Sequence, residues 1–162
     1  MSKFSEKFEI SHEEFTRSCF SELVQAIKML QERFGEEEVL KTLREGRSEA
    51  ITAWVARDLK SRGPIEGLRD FSSHILEALC RNERNHQTYI IEEDTDNRFR
   101  YTITECIWAR AFKDLDATDI GHEWLCHADY AYAKAYHPRI SLSREKTLMQ
   151  GDDICDMDYR WL

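Results

Sequence analysis

The sequence predicts an α+β fold in which N-terminal helices pack on an antiparallel sheet of about four strands, made of two hairpins. Apolar residues recur at spacings of three and four over residues 12–82, as on one face of an amphipathic helix. The period changes to two over 86–104, and again over 139–144 and 154–161, which indicates the hairpins. Residues 106–136, between them, return to the helical period.

The first helix is predicted to begin after Ser11, because Ser11 and Glu14 form a capping-box pattern, and to end at Gly35. Its apolar stripe comprises Phe15, Cys19, Leu23, Ala26, Ile27 and Leu30. Cys19 is interpreted as a small core residue on this stripe, since buried unreactive cysteine is the common case.

Two more helices are predicted over 36–62 and 65–82. The acidic run that begins the first of them suits a helix N-terminus, where the macrodipole favours negative charge. Gly46 is a candidate interruption of that helix. The other helix carries His74 and Cys80, for which we predict structural roles.

Helical structure is predicted to resume at Cys106, and a further helix covers 119–136, capped by Asp116 or Thr118. Turn residues at 151–153 then separate the two strands of the second hairpin. The order is therefore three helices, a hairpin, two helices and a second hairpin.

A chain of 162 residues is most simply one domain, here with a helical half over 1–84 and an α/β half over 85–162 that carries the site. The net charge of −8 argues against a nucleic-acid surface and against docking on an anionic membrane. There is no apolar run long enough to span a bilayer and no secretory signal pattern, so we expect a cytoplasmic protein with reduced thiols. Five cysteines without a C-x-x-C pair do not indicate a disulfide framework or a zinc finger.

The stretch from Thr104 to Asp158 holds three of the five cysteines and three of the six histidines, so any reactive site is expected there. His122, Cys126 and Asp129 stand at i, i+4 and i+7, one face of a helix, where a thiol, an imidazole and a carboxylate would form an activated nucleophile. The competing interpretation makes Cys126 a core residue, with the other two flanking it toward solvent.

Cys106 lies where a strand meets a helix, and the exposed N–H groups of a first turn are expected to lower its pKa. It is therefore the better nucleophile candidate by local sequence; the alternative is a cysteine that only fills space. In the last predicted strand, the Cys155 side chain lies on the opposite face of the sheet from Ile154 and Asp156. One of these two faces of the sheet must be core. These thiols with Asp129 are also candidate ligands for a soft metal, an idea ranked below nucleophilic catalysis because no spacing supports it.

Thr147, Gly151 and Asp152 surround the last hairpin, where backbone N–H groups of a glycine turn are suited to an anionic substrate. Arg110 and Arg144 are candidates to bind a carboxylate by bidentate contact. The alternatives are an ordinary turn for the glycine and surface charge for the arginines.

Four motifs together resemble the C-terminal signature of the L-2-amino-thiazoline-4-carboxylic acid hydrolase family. They are T-x-C at 104–106, C-x-x-D at 126–129, K-T-L-M-x-G-D at 146–152 and C-D-M-D-Y-R at 155–160, with a proline before the strand between the second and third. The resemblance covers only this C-terminal stretch, and the helical N-terminal half carries no match.

The resemblance implies hydrolytic opening of a small cyclic amidine-like C–N bond. In the named family member, L-2-amino-thiazoline-4-carboxylate yields N-carbamoyl-L-cysteine. The positions that match the pattern are Cys106, Cys126, Asp129, Thr147, Gly151 and Cys155. His122 enters only through its helical spacing.

Three functions are therefore weighed: a cysteine-dependent hydrolase, a small-molecule binding or sensing module without chemistry, and a metal-dependent hydrolase. The expected partner is a small-molecule substrate, with no nucleic acid, no membrane, no cofactor and no bound metal. A homo-oligomer is kept open, because the mixed surface charge shows no clear interface stripe.

Overall fold

The computed structural model describes residues 9–80 and 86–162 and confirms the α+β class with its predicted order of elements. Its α-helices are α1 (His12–Phe34), α2 (Glu36–Arg62), α3 (Leu68–Cys80), α4 (Ile107–Asp114), α5 (Thr118–Gly121) and α6 (Ala128–Tyr136). The side chain of Cys80 and the predicted end of its helix near residue 82 lie outside the described part of the chain.

Helix α1 begins at the predicted capping box. The Ser11 hydroxyl accepts from the backbone N–H of Glu14 at 3.1 Å, and the Glu14 carboxylate accepts from the backbone N–H of Ser11 at 2.9 Å. Gly35 ends the helix, as predicted, at a φ of 92° that favours glycine.

The predicted apolar stripe of α1 is correct only in part, at Ile27, which is buried, and Leu23, which packs against the core. The helix buries Thr16, Val24 and Ile27, whereas Phe15 is 46% exposed and Cys19 is exposed. Apolar residues cover a wider arc of this helix than its neighbours α2 and α4 can bury, so packing decides which part of the arc becomes core. The core role predicted for Cys19 is therefore not found.

Helix α2 runs through Gly46 without interruption, and nothing lies near the position that a Cβ would occupy there. On α3, His74 is buried, and its Nε2 lies 2.7 Å from the hydroxyl of Tyr136 on α6. That hydroxyl also donates to Asp58 of α2 at 2.7 Å, so the contact joins three helices and supports the structural role predicted for His74.

The sheet has the strands β1 (Gln87–Asp94), β2 (Arg98–Cys106), β3 (Ile140–Ser143) and β4 (Cys155–Trp161), in the order β1-β2-β4-β3. All neighbours are antiparallel, so the two predicted hairpins lie side by side and join through β2 and β4.

One face of the sheet is buried under helices. Its residues on the two central strands are Phe99, Tyr101 and Ile103 of β2 with Cys155, Met157 and Tyr159 of β4. Ile103 lies opposite Cys155 in the register, which confirms that the face carrying Cys155 is core. The other face is polar, with Arg98 bound to Asp158 at 2.8 Å.

Residues 118–136 form one helical path that is not a uniform α-helix. A π-helical turn, His122–Cys126, separates α5 from α6, and the backbone N–H of His127 donates to the carbonyl of His122 at 2.8 Å. Ala117 occupies the N-cap position of α5 without a side-chain cap. The cap predicted from Asp116 or Thr118 is therefore wrong.

Among the helices of the described ranges, none combines the length and the apolar character that crossing a bilayer would require.

Candidate functional site

A cavity of about 250 Å³ lies between the buried face of the sheet and the helices above it. Six of the residues predicted for the site line it: Cys106, Cys126, Asp129, Arg144, Thr147 and Cys155. They come from β2, the π-helical turn, α6, the loop after β3, and β4, so only the tertiary fold brings them together. Pockets for drug-sized ligands run roughly 300–1,000 Å³, and this cavity therefore suits a smaller molecule.

The Thr147 hydroxyl lies between two of the thiols. Its Oγ1 is 3.9 Å from Sγ of Cys126 and 3.7 Å from Sγ of Cys155, and the residue is only 3% exposed. The same oxygen accepts from the backbone N–H of Met149 at 3.2 Å, which caps a short 3₁₀ turn. Thr147 thus links the floor of the cavity to the loop that closes it.

The K-T-L-M-x-G-D motif serves to hold Thr147 in place. The Asp152 carboxylate accepts from the backbone N–H of Thr147 at 2.7 Å, and the backbone N–H of Asp152 donates to the Thr147 carbonyl at 3.2 Å. Gly151 closes the turn in the left-handed region, with φ of 97°. Gly151 and Asp152 do not line the cavity with the thiols; both line a separate polar cavity.

Asp129 is held by a buried arginine. Nη1 of Arg144 lies 2.7 Å from Oδ2 of Asp129, and Nη2 donates to the carbonyl of Cys126 at 2.7 Å. The Arg144 side chain is 4% exposed, whereas that of Asp129 is 40% exposed and lines three adjoining cavities. Burial raises the pKa of Asp129, while the positive charge of Arg144 opposes that rise.

Cys106 lies at the start of α4, as predicted, but its acidity differs from the prediction. Burial raises the pKa of the Cys106 thiol, although the backbone N–H groups of Ala109 and Trp108 and the side chain of Gln87 act in the opposite direction. Removing a thiolate from water costs more than those donors return. The lowered pKa expected from the helix N-terminus alone is therefore wrong.

Cys126 is the less acidic of the two thiols. Burial, followed by the negative charge of Asp129, raises its pKa to about 12 against the opposing effects of Arg144 and Thr147. The Cys126 thiol is therefore neutral at physiological pH.

His122 does not line the cavity. The hydrogen bond from His127 to His122 spans five residues, so this turn is wider than that of an α-helix. Nδ1 of His122 instead lies 3.2 Å from the carboxylate of Glu123. Of the three residues predicted on one helix face, Cys126 and Asp129 line the cavity and His122 does not.

Arg110 also does not line the cavity that holds the three thiols. Its side chain is 56% exposed and contacts Glu105 at 2.8 Å, beside the polar cavity of Gly151 and Asp152. Four residues line both cavities and separate that space from the thiols of Cys126 and Cys155: Cys106, Ala109, Leu148 and Met149.

The sequence analysis missed the residues that complete the cavity. Arg47 and Ile51 come from α2, in the half of the chain for which no functional role was expected, and Gln87, Trp108 and Tyr132 add further walls. No motif marks them, because each lies in an ordinary helical or strand pattern. Arg47 and Ile51 are identified only by the packing of α2 against α6 and the π-helical turn.

Within residues 9–80 and 86–162, no three His, Cys, Asp or Glu side chains are grouped so as to hold a metal ion. The soft-metal arrangement of thiols with Asp129 is therefore not formed in the described part of the chain.

Comparison with known proteins extends the resemblance beyond the C-terminal motifs. The model of the L-2-amino-thiazoline-4-carboxylic acid hydrolase family matches residues 12–159, which include the helical half. No curated protein matches the sequence.

Two solved structures share the fold at low identity. The phenol-responsive sensory domain of the transcription activator PoxR, solved with phenol, is 12% identical with a TM-score of 0.54, over 90% of this chain and 73% of that one. Subunit 3 of a trafficking protein particle complex from Naegleria fowleri, covalently bound to palmitic acid, is 11% identical with a TM-score of 0.51, over 93% of this chain and 95% of that one. At these identities the likeness concerns the fold alone.

Proposed function

The chain belongs to the L-2-amino-thiazoline-4-carboxylic acid hydrolase family, and we propose on that premise that it hydrolyses a small cyclic amidine-type substrate in the thiol-lined cavity. The observation that carries the proposal is the convergence of three thiols and the Asp129 carboxylate on one space of about 250 Å³. Such a space suits a substituted five-membered ring.

The reaction adds one water to the carbon that joins the ring nitrogen and ring sulfur of an amino-thiazoline. Expulsion of the sulfur from the tetrahedral centre leaves an N-carbamoyl thiol, whereas expulsion of the ring nitrogen would leave a thiocarbamate. N-carbamoyl-L-cysteine corresponds to the first course. For that substrate the bond that opens is therefore C–S, in place of the C–N bond expected above.

Cys106 is the nucleophile in this proposal. Its sulfur faces the backbone N–H groups of Trp108 and Ala109, which favour negative charge on the sulfur or on the adduct. Its proton passes to Asp129 as the sulfur–carbon bond forms, and the departing ring sulfur takes up a proton. Water then hydrolyses the adduct and restores the Cys106 thiol.

Asp129 is the proton acceptor of the cavity. Burial raises the pKa of Asp129 above its ordinary value, which makes it a stronger base, and its contact with Arg144 holds the carboxylate in position. The same carboxylate is suited to activate water for the second step.

The test measures ring opening of L-2-amino-thiazoline-4-carboxylate by mass spectrometry of the product. We expect Asp129→Asn to lower turnover roughly 10²- to 10⁴-fold, as for loss of a general base. Cys106→Ser should abolish the covalent adduct that mass spectrometry detects on the intact protein, while Cys19→Ser, at an exposed thiol, serves as the matched control. Full turnover in Cys106→Ser rules out this nucleophile, and absence of turnover in the wild type rules out the substrate.

A non-catalytic binding module is the second candidate. Burial raises the pKa of both Cys106 and Cys126, so neither thiol is ionised in the empty cavity at neutral pH. The shared fold with a phenol-responsive sensory domain is compatible with this function. Binding of small heterocycles without any turnover, in a protein whose three cavity thiols all alkylate slowly, would favour it.

A further inference from the structure

Arg47 lines the cavity and carries a buried donor that no described residue accepts. The side chain reaches the cavity from α2, and its Nε is buried without a hydrogen-bond partner in the described ranges. The guanidinium lies over the ring of Trp124, 5.1 Å from its centroid, and this contact orients it. A buried donor without a hydrogen-bond partner lowers the stability of a fold, so its presence in this structure calls for an explanation.

The other arginine of the cavity is already engaged. Arg144 contacts the Asp129 carboxylate and the Cys126 carbonyl, each at 2.7 Å. Asp129 therefore offsets Arg144, and Arg47 is the remaining charged side chain in the lining. A guanidinium is always protonated in proteins, so the cavity has one uncompensated positive charge.

Most of the cavity surface is apolar, and Ile51, Trp108 and Leu125 are among the residues that form it. A ligand that complements this lining has a small flat apolar body and a single anionic group. Carboxylate is the anion whose geometry matches the guanidinium fork.

We propose that Arg47 binds the carboxylate of the substrate and so selects small heterocyclic acids over their neutral analogues. This inference rests on the proposed function, which supplies the acidic substrate class. It assigns to Arg47 the role that the sequence suggested for Arg110 and Arg144, since Arg110 lies outside the cavity and Arg144 is paired with Asp129.

Calorimetric binding tests the assignment separately from turnover. The probes are 2-aminothiazole-4-carboxylate, an aromatic analogue that resists ring opening, and the corresponding 4-carboxamide. We expect the wild type to prefer the acid and Arg47→Gln to bind it roughly 10- to 100-fold more weakly, as for loss of a charge-assisted hydrogen bond. Arg47→Lys should retain part of the preference, because the charge remains. Arg57→Gln, at an exposed position on the same helix, is the matched control.

Three outcomes would overturn the inference: no binding of the acid to the wild type, equal binding of acid and amide, or unchanged binding in Arg47→Gln. If Arg47→Gln and Arg57→Gln weaken binding equally, Arg47 acts only through the general charge of α2, which also overturns it. If the acid binds through Arg47 but the thiazoline is not opened, the carboxylate site stands and the hydrolase proposal fails.

Discussion

Arg144 and Asp129 form an ion pair in which the arginine is enclosed and the carboxylate opens to the cavity. Their nearest atoms lie 2.7 Å apart, with 4% of the Arg144 side chain and 40% of the Asp129 side chain exposed. The arginine is therefore committed to the protein, while the carboxylate keeps an edge for substrate or water. This asymmetry suits a general base whose carboxylate is fixed by an enclosed arginine and is open to the cavity.

Replacing Arg144 by Met should lower the free energy of unfolding by about 3 kcal/mol, the lower end of the range for breaking a buried pair, because Asp129 keeps part of its solvation. It should also raise the pKa of Asp129 further, since the opposing charge is lost. Urea denaturation measures the first effect. Arg17→Gln, at a pair whose side chains are 44% and 43% exposed, should cost under about 1 kcal/mol, and equal losses would contradict the distinction.

Thr147→Val removes the hydroxyl that lies between two thiols and caps the 3₁₀ turn, while it keeps the side-chain shape. We expect a loss of about 1–2 kcal/mol in stability from the cap and the unpaired Met149 N–H. Thr147→Ser retains the oxygen and should lose less. Thermal denaturation compares the two, and equal losses would show that packing rather than the hydroxyl matters.

Thiol labelling should follow burial and acidity. With a pKa of about 12, Cys126 is thiolate to the order of 10⁻⁴ at pH 8, against roughly a quarter for a free thiol of pKa ~8.5. We expect iodoacetamide to modify the exposed Cys19 first and Cys126 on the order of 10³-fold more slowly. Peptide mass spectrometry over time measures each rate. Fast labelling of Cys126 near neutral pH would contradict the neutral thiol.

Stability should fall at alkaline pH. Burial raises the pKa of Cys126 and of Tyr132 to about 12 in the folded protein. In the unfolded chain each group has its lower, ordinary pKa and therefore ionises at a lower pH than in the folded protein. Their contribution to the free energy of unfolding is fully present below the unfolded-state pKa, which is ~8.5 for the thiol and ~10 for the phenol. It is lost as the pH rises from there through the folded-state pKa of about 12.

Urea midpoints between pH 7 and 11 measure this decline. Cys126→Ser should flatten the part that begins near the thiol pKa, and Tyr132→Phe the part that begins near the phenol pKa. Identical slopes in the wild type and both variants would show that other groups cause the decline.

Gly121→Ala should destabilise the protein by about 1–3 kcal/mol through overpacking. A Cβ at this position would lie 2.6 Å from Phe112 and 2.7 Å from the sulfur of Met149, both closer than real contacts allow. Met149 belongs to the wall between the two cavities, so its displacement should also weaken ligand binding. Gly46→Ala, at a helical glycine with free space, should be neutral or stabilising in the same denaturation assay.

The elements were predictable because each depends on neighbours in the chain. The capping box at Ser11 and the turn at Gly151 satisfy backbone groups within a few residues, so local sequence is sufficient to place them. The stripe of α1 was correct only in part, because which side of an apolar arc is buried depends on distant helices.

The sequence by itself determined the residue types of the site: Cys106, Cys126, Asp129, Thr147 and Cys155 stand in motifs, and all line one cavity. Only the tertiary structure determined the protonation of these groups and which other residues line the cavity with them. The Cys106 thiol is less acidic than local sequence indicated, since burial in the fold raises its pKa more than the helix N-terminus lowers it. Arg47, whose Nε has no hydrogen-bond partner in the described ranges, comes from α2, far in the sequence from the motifs. Solvation and through-space charge depend on what packs around a group, and no local pattern records that.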